Sequence, residues 1–128
     1  MSVSNKTTIL VVDDERIIAW DLRGVLNSFG YDCFGTAASG EEALALAEKR
    51  APEMALMDIR LEGKLDGIET AKLLQQRHGT KIIFLSANAD QDCRDRTQSL
   101  CVSAWLTKPI TDEKLRAAVA SALRSKPE

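Results

Sequence analysis

Four apolar runs of the sequence each end in polar side chains that could do chemistry, namely Asp13 with Asp14, Asp58, Ser86 and Lys108. Any one of these residues is ordinary at the end of a strand, but four runs that end this way indicate one site. If the runs are parallel strands of one sheet, their carboxyl ends meet at the same edge. Open α/β sheets bind their ligands at that edge.

The residue types in this set are those that phosphoryl chemistry needs. Three converging carboxylates would repel one another and any phosphate, and Mg²⁺ resolves that conflict because it binds oxygen ligands and keeps several waters. A carboxylate can also attack a phosphoryl group to form an aspartyl phosphate, and Asp58 is the candidate nucleophile. Lys108 and the Ser86 hydroxyl would then bind the phosphoryl oxygens, since such transfers depend mostly on positioning and charge stabilisation.

A purely structural interpretation of the same residues is available. Asp13 and Asp14 could cap the first helix, and Lys108 could form an ion pair with one of them. This interpretation is less favoured because helix capping does not require Asp58 and Ser86 as well.

The elements that must position these residues alternate between strand and helix patterns. Apolar runs predict strands at 9–12, 33–37, 54–57, 81–86 and 104–107. Periodic or capped segments predict helices over 15–29, from the capping box at 39–42 to about 50, over 68–78, over 91–100, and from about 111. The helix at 91–100 has almost no apolar stripe. This alternation predicts a doubly wound α/β domain with a parallel sheet and five helices.

The composition bounds the class of protein. The 128 residues suit one domain, and the net charge of −2 argues against nucleic-acid binding through bulk charge. The three cysteines include no C-x-x-C pair, which favours reduced thiols. No apolar run approaches the roughly 20 residues of a membrane span, and the amino terminus has no apolar signal-peptide core. A cytoplasmic protein is therefore expected, with a polar tail at 1–7 and one domain at 8–125.

The chain resembles the receiver domains of bacterial two-component response regulators, such as the chemotaxis regulator. The resemblance extends from about residue 8 to 123 and is carried by five short motifs: Leu10-Val11-Val12-Asp13-Asp14-Glu15, Met57-Asp58-Ile59-Arg60-Leu61, Asp66-Gly67, Leu85-Ser86-Ala87 and Lys108-Pro109. It implies a flavodoxin-like five-stranded sheet of order 2-1-3-4-5.

The resemblance also implies roles for individual residues. Asp58 would be the phosphoacceptor. Mg²⁺ would be bound directly by Asp14, Asp58 and the backbone carbonyl of Arg60, and through water by Asp13. Ser86 would be the hydroxyl switch residue and Trp105 the aromatic one.

Two features depart from the family's common pattern. Many members have a Met-Pro pair after the phosphorylated Asp, whereas this chain has Leu61-Glu62, and its loop to Asp66-Gly67 is one residue longer. At the aromatic switch position Trp105 replaces the more usual Tyr or Phe.

Partners follow from what the sequence lacks and from the resemblance. There is no nucleotide-binding glycine motif, so the phosphoryl donor should be a phosphohistidine on a sensor histidine kinase or a histidine phosphotransfer protein. An output partner or a second copy of the chain would bind the surface formed by the fourth helix, fifth strand and fifth helix. Trp20 should face away from the apolar stripe of the first helix, either lying flat on its neighbours or marking a contact surface.

Two rival functions have less support. A phosphatase with an aspartyl nucleophile would favour a D-x-D motif, which the segment from Asp58 to Arg60 lacks. A flavin-binding electron carrier on the same fold needs a hydroxyl-rich and glycine-rich phosphate loop after the first strand, where this chain has Asp13, Asp14 and Glu15.

Overall fold

The computed structural model describes residues 6–86 and 95–124. The strands are β1 (Thr8–Val12), β2 (Asp32–Ala37), β3 (Met54–Asp58), β4 (Lys81–Ser86) and β5 (Val102–Thr107). The helices in these residues are α1 (Arg16–Ser28), α2 (Gly40–Lys49), α3 (Gly67–His78) and α4 (Asp112–Arg124).

The strands form one parallel sheet in the order β2-β1-β3-β4-β5. The predicted fold class and strand order are therefore confirmed. The central strand β3 is buried along its whole length, as expected for a parallel strand covered on both faces.

Alternate residues of β1 contribute to two separate apolar cores. Ile9 and Val11 pack on the face covered by α1 and α4, whereas Leu10 and Val12 pack on the face covered by α2 and α3. Successive side chains of a strand point to opposite faces of the sheet, so apolar residues at consecutive positions need helices on both faces to cover them. The carboxyl-terminal edge of the sheet is left to the loops.

The prediction of five helices differs from the structure, in which the described residues contain four. The predicted helix at 91–100 lies partly outside the described residues, and within the remainder only Asp95 and Arg96 are helical before a turn at 97–99.

The starts of α2 and α3 are set by side-chain caps. As predicted, the Ser39 hydroxyl accepts a hydrogen bond from the Glu42 amide, at 3.1 Å. The second bond of the predicted capping box differs, because the Glu42 carboxylate accepts the amide of Ala38, at 2.6 Å. At α3 the reciprocal pair is complete between Asp66 and Glu69, although the sequence reading did not identify it.

The start of α3 lies against the end of β3 at Gly67. The Gly67 amide donates to the Ile59 carbonyl at 2.7 Å, and a Cβ at this position would lie 1.9 Å from the carbonyl oxygen of Asp58. Only a glycine allows this approach without moving the backbone that carries Asp58.

Gly67→Ala should therefore lower the free energy of unfolding by about 1–3 kcal/mol, since the added methyl overpacks against main chain. The matched control is Gly24→Ala in the middle of α1, where a Cβ would meet nothing within 4 Å. It should raise the stability by about 0.5–1 kcal/mol through its helix propensity. Urea unfolding of both variants tests the contact, and equal stabilities would contradict it.

Candidate functional site

The site lies at the carboxyl-terminal edge of the sheet, where β1 and β3 end beside one another and β5 ends beyond β4. The register pairs Val12 with Met57, so Asp13 and Asp58 follow from adjacent positions. The Asp13 amide donates to the Ala37 carbonyl at 2.9 Å, and the Lys108 amide donates to the Ser86 carbonyl at 2.8 Å. These backbone bonds extend the ladders by one residue and fix where the side chains leave the sheet.

The ammonium group of Lys108 is the centre of the site. Its Nζ lies 3.1 Å from Asp13 Oδ2, 3.1 Å from Asp58 Oδ2 and 3.4 Å from Glu15 Oε1. The contact with Asp58 is a hydrogen bond. The contact with Asp13 is an ion pair that lacks hydrogen-bond alignment, and this buried Asp13 oxygen has no other donor among the described residues.

Burial makes the charges of the site interact strongly. Asp13 is fully buried and Asp58 is 7% exposed. Burial first, and then the negative charge of Asp13, raise the pKa of Asp58 to about 6, although Lys108 opposes this rise. Burial lowers the pKa of Lys108, but its interactions with Asp13 and Asp58 raise it by more, so the net shift is upward.

The acidic residues have the chemistry of a site for a hard divalent cation. One carboxylate oxygen from each of Asp13, Asp14 and Asp58 lies within 4.8 Å of the others. The set is all oxygen, and it includes the Asp13 oxygen that lacks a hydrogen-bond donor. These residues therefore fit Mg²⁺, which combines a few protein oxygens with bound water.

The other predicted site residues lie around this group. Ser86 is buried at the end of β4, one residue beyond Leu85, which pairs with Asp58. The Arg60 amide donates to Asp58 Oδ1 at 3.3 Å, and Arg60 is exposed. Trp105 is half-buried on β5 and packs on Phe84 with ring centroids 5.0 Å apart, so its ring belongs to the covered face of the sheet.

The interpretation in which Asp13 and Asp14 cap the first helix and Lys108 pairs with one of them agrees with the structure only in part. Asp13 Oδ1 accepts the amide of Glu15 at 2.9 Å, and Asp13 also contacts Lys108. The residue at the N-cap of α1 is nevertheless Glu15, whose side chain makes no capping bond. Sequence reasoning gave Glu15 no role, although it is the third of three consecutive acidic residues.

Residues 9–120 match the family model described as the response regulator receiver domain. The chain belongs to this family. Receiver domains of two-component response regulators act in phosphorylation-dependent signalling, so the chain is grouped with signalling modules rather than with phosphatases or flavin electron carriers.

Two curated relatives show the extent of the likeness. The receiver domain is 32% identical over 111 residues to the transcriptional regulatory protein PdtaR of Mycobacterium tuberculosis, covering 87% of this chain and 54% of that protein. It is 39% identical over 117 residues to the alkaline phosphatase synthesis transcriptional regulatory protein PhoP of Bacillus subtilis, covering 91% and 48%. The chain thus spans about half the length of these relatives.

Solved receiver domains have the same fold. The signal receiver domain of a modulated diguanylate cyclase from Desulfovibrio desulfuricans G20 aligns with a TM-score of 0.86 and 35% identity, covering 93% of this chain and 94% of that chain. A CheY-like response regulator receiver domain protein from Methanospirillum hungatei JF-1 aligns with a TM-score of 0.84 and 26% identity, covering 93% and 94%. Within residues 6–86 and 95–124, no helix is long and apolar enough to cross a bilayer.

The raised pKa of Asp58 predicts that its charge destabilises the receiver domain when metal is removed. A carboxyl whose folded pKa of about 6 exceeds its ordinary value of 3.8 opposes folding increasingly as pH rises between those values, and constantly above them. Asp58→Asn should therefore raise the free energy of unfolding at pH 7 in EDTA by about 1–2 kcal/mol, a figure reduced for solvent screening.

The pH dependence of this gain in unfolding free energy tests whether the charge of Asp58 causes it. The gain from Asp58→Asn should shrink as the pH is lowered from 7 to 4, and Mg²⁺ should also reduce it. Glu113→Gln, at an exposed carboxylate in the first turn of α4, is the control and should give no such gain. Urea unfolding at several pH values measures both, and a pH-independent gain would contradict the electrostatic origin.

Proposed function

We propose that this receiver domain accepts a phosphoryl group on Asp58 from a phosphohistidine of a sensor histidine kinase or histidine phosphotransfer protein. The observation that carries the proposal is the placement of the Lys108 ammonium 3.1 Å from Asp58, beside a cluster of three carboxylates. The domain would occupy residues 8–125, preceded by the tail at 1–7.

The residues of the site would divide the transfer among them. An Asp58 carboxylate oxygen attacks phosphorus and forms the new P–O bond, while the P–N bond to the donor imidazole breaks and the leaving imidazole takes a proton from solvent. Lys108 holds Asp58 in place before transfer and binds a phosphoryl oxygen afterwards. Bound Mg²⁺, held by Asp13, Asp14, Asp58 and the Arg60 carbonyl, would neutralise the repulsion between carboxylates and phosphoryl oxygens.

The response to phosphorylation would pass through the neighbouring strands. We propose that the Ser86 hydroxyl moves to hydrogen-bond the phosphoryl group, and that Trp105 shifts beside β4 as Ser86 moves. The output surface would consist of the segment after residue 90, β5 and α4. The described part of this surface contacts the N-cap of α3, because Arg96 forms an ion pair with Asp66 at 2.6 Å. An output partner or a second copy of the chain would bind there.

The donor would dock along α1. Trp20 is 74% exposed and Ile17 is 84% exposed, which supports the interpretation of Trp20 as part of a contact surface. Both line a shallow cleft that begins at Asp13 and also includes Arg16 and Ala38. An exposed surface with apolar side chains that reaches Asp13, the neighbour of Asp58, suits a protein that must bring a phosphohistidine to Asp58.

Asp58→Ala should abolish phosphorylation by acetyl phosphate, because the variant lacks the carboxylate proposed as the nucleophile. Intact-mass spectrometry should show one added phosphoryl group on the parent with Mg²⁺, and none in EDTA. Asp112→Ala, at an exposed aspartate in α4, is the matched control and should be phosphorylated like the parent. Undiminished phosphorylation of Asp58→Ala would refute the assignment.

Trp20→Ser should slow phosphoryl transfer from a phosphorylated histidine phosphotransfer domain roughly tenfold, as expected for loss of a central aromatic contact. The rate with acetyl phosphate should stay within about twofold, because that donor needs no protein surface. Lys49→Ser, at an exposed position of α2 on the opposite side of the sheet, should change neither rate. Equal slowing with both donors would mean that Trp20 acts on the site and not on docking.

A further inference from the structure

The loop between β3 and α3, residues 59–66, contacts the start of α2. The Arg60 carbonyl, proposed as a metal ligand, belongs to this loop, which is one residue longer than the common family pattern. Its tip at Glu62, Gly63 and Lys64 is exposed, so apolar burial does not fix its conformation. The contacts that do fix the tip are therefore polar.

Glu41, in the first turn of α2, supplies one of these contacts. Its Oε2 accepts the Lys64 amide at 3.0 Å, across 23 positions of sequence. The amide of its own residue, followed by that of Lys64, holds the pKa of Glu41 below its ordinary value. A carboxylate that accepts backbone amides keeps its charge and forms stronger hydrogen bonds than a neutral acceptor.

Gly63 fits the loop tip against Glu41. Its φ of +92° lies in the region that side-chain-bearing residues rarely adopt. A Cβ at this position would also lie 2.7 Å from Glu41 Oε1. The glycine thus allows the main chain to approach the carboxylate closely.

Other residues at the start of α2 also contact this loop. Ser39 forms an isolated parallel bridge with Glu62. A Cβ on Gly40 would lie 2.9 Å from the Leu65 Cβ and 2.1 Å from Thr70 Oγ1, so the start of α2 closely contacts the loop at Leu65 and α3 at Thr70. Removing the Glu41 carboxylate would leave the loop tip attached through the bridge at its amino-terminal side.

We propose that Glu41 is a positioning residue for the metal site: by accepting the Lys64 amide it holds the loop that carries the Arg60 carbonyl. This inference rests on the proposed function, because it assigns Glu41 to the same magnesium-dependent site. Glu41 does not bind the metal in this proposal. It restricts the conformations of a loop that contributes a ligand, as residues behind the direct ligands do in other metal sites.

Glu41→Ala and Glu41→Gln separate the hydrogen bond from the charge. In the metal-free protein, NMR hydrogen exchange at the Lys64 amide should accelerate at least about fivefold in Glu41→Ala, because its acceptor is lost. The Mg²⁺ dissociation constant from calorimetric titration should rise about fivefold to tenfold. Glu41→Gln should recover most of both properties, since its amide oxygen can still accept the bond.

Glu42→Ala is the matched control, with the same charge change on the next residue of α2. It removes the bond to the Ala38 amide and so weakens the same helix start. Lys64 exchange and Mg²⁺ affinity should stay within about twofold of the parent, because neither depends on that bond. If Glu42→Ala or Glu41→Gln weakens Mg²⁺ binding as much as Glu41→Ala, the effect is one of charge or helix stability and the proposal is overturned.

A measurement on the unmodified chain covers the case in which Glu41→Ala does not fold. The Lys64 amide shift should titrate with a carboxyl pKa below the ordinary glutamate range, because the bond persists until Glu41 is protonated. Absence of this titration would overturn the proposal. Asp14→Asn distinguishes it from the proposed function: if Mg²⁺ affinity is unchanged in Asp14→Asn, the metal site itself is wrong, whatever Lys64 shows.

Discussion

The site depends on the ion pairs that the Lys108 ammonium forms with Asp13, Asp58 and Glu15. Without this cation, the buried carboxylates at the ends of β1 and β3 would repel one another in a medium that screens charge poorly. Even with it, burial and Asp13 leave Asp58 with a raised pKa. The arrangement is therefore incompletely neutralised, and that imbalance suits a divalent cation bound by the carboxylate oxygens.

The sheet holds these charges together because its strands are buried on both faces. β1 and β3 are paired over four residues, and the two apolar cores fix them from either side. Side chains at the strand ends consequently have little freedom to separate. The close approach of Gly67 to the Asp58 carbonyl, with the hydrogen bond from its amide to the Ile59 carbonyl, adds a second constraint, because it joins the start of α3 to the backbone that carries Asp58.

Contacts between loops connect the site to more distant parts of the domain. Asp66 caps α3 through one carboxylate oxygen and binds Arg96 through the other. Gln75 exchanges two hydrogen bonds with the backbone of Cys101, at 2.7 and 3.1 Å. The segment before β5 is thus attached to α3 by polar contacts, in addition to the packing of Leu100 on the core. Such contacts stabilise less than apolar burial and can be exchanged more readily when the site changes charge.

The sequence by itself determined the fold class and the members of the acidic cluster. Apolar runs separated by helical periods predict a parallel sheet, and strand ends in such a sheet must meet, so Asp13, Asp14, Asp58 and Lys108 could be grouped from their positions alone. The tertiary structure decided the contacts between segments far apart in the chain. The hydrogen bond from Lys64 to Glu41 depends on how the loop after β3 packs on the start of α2, which local pattern does not specify.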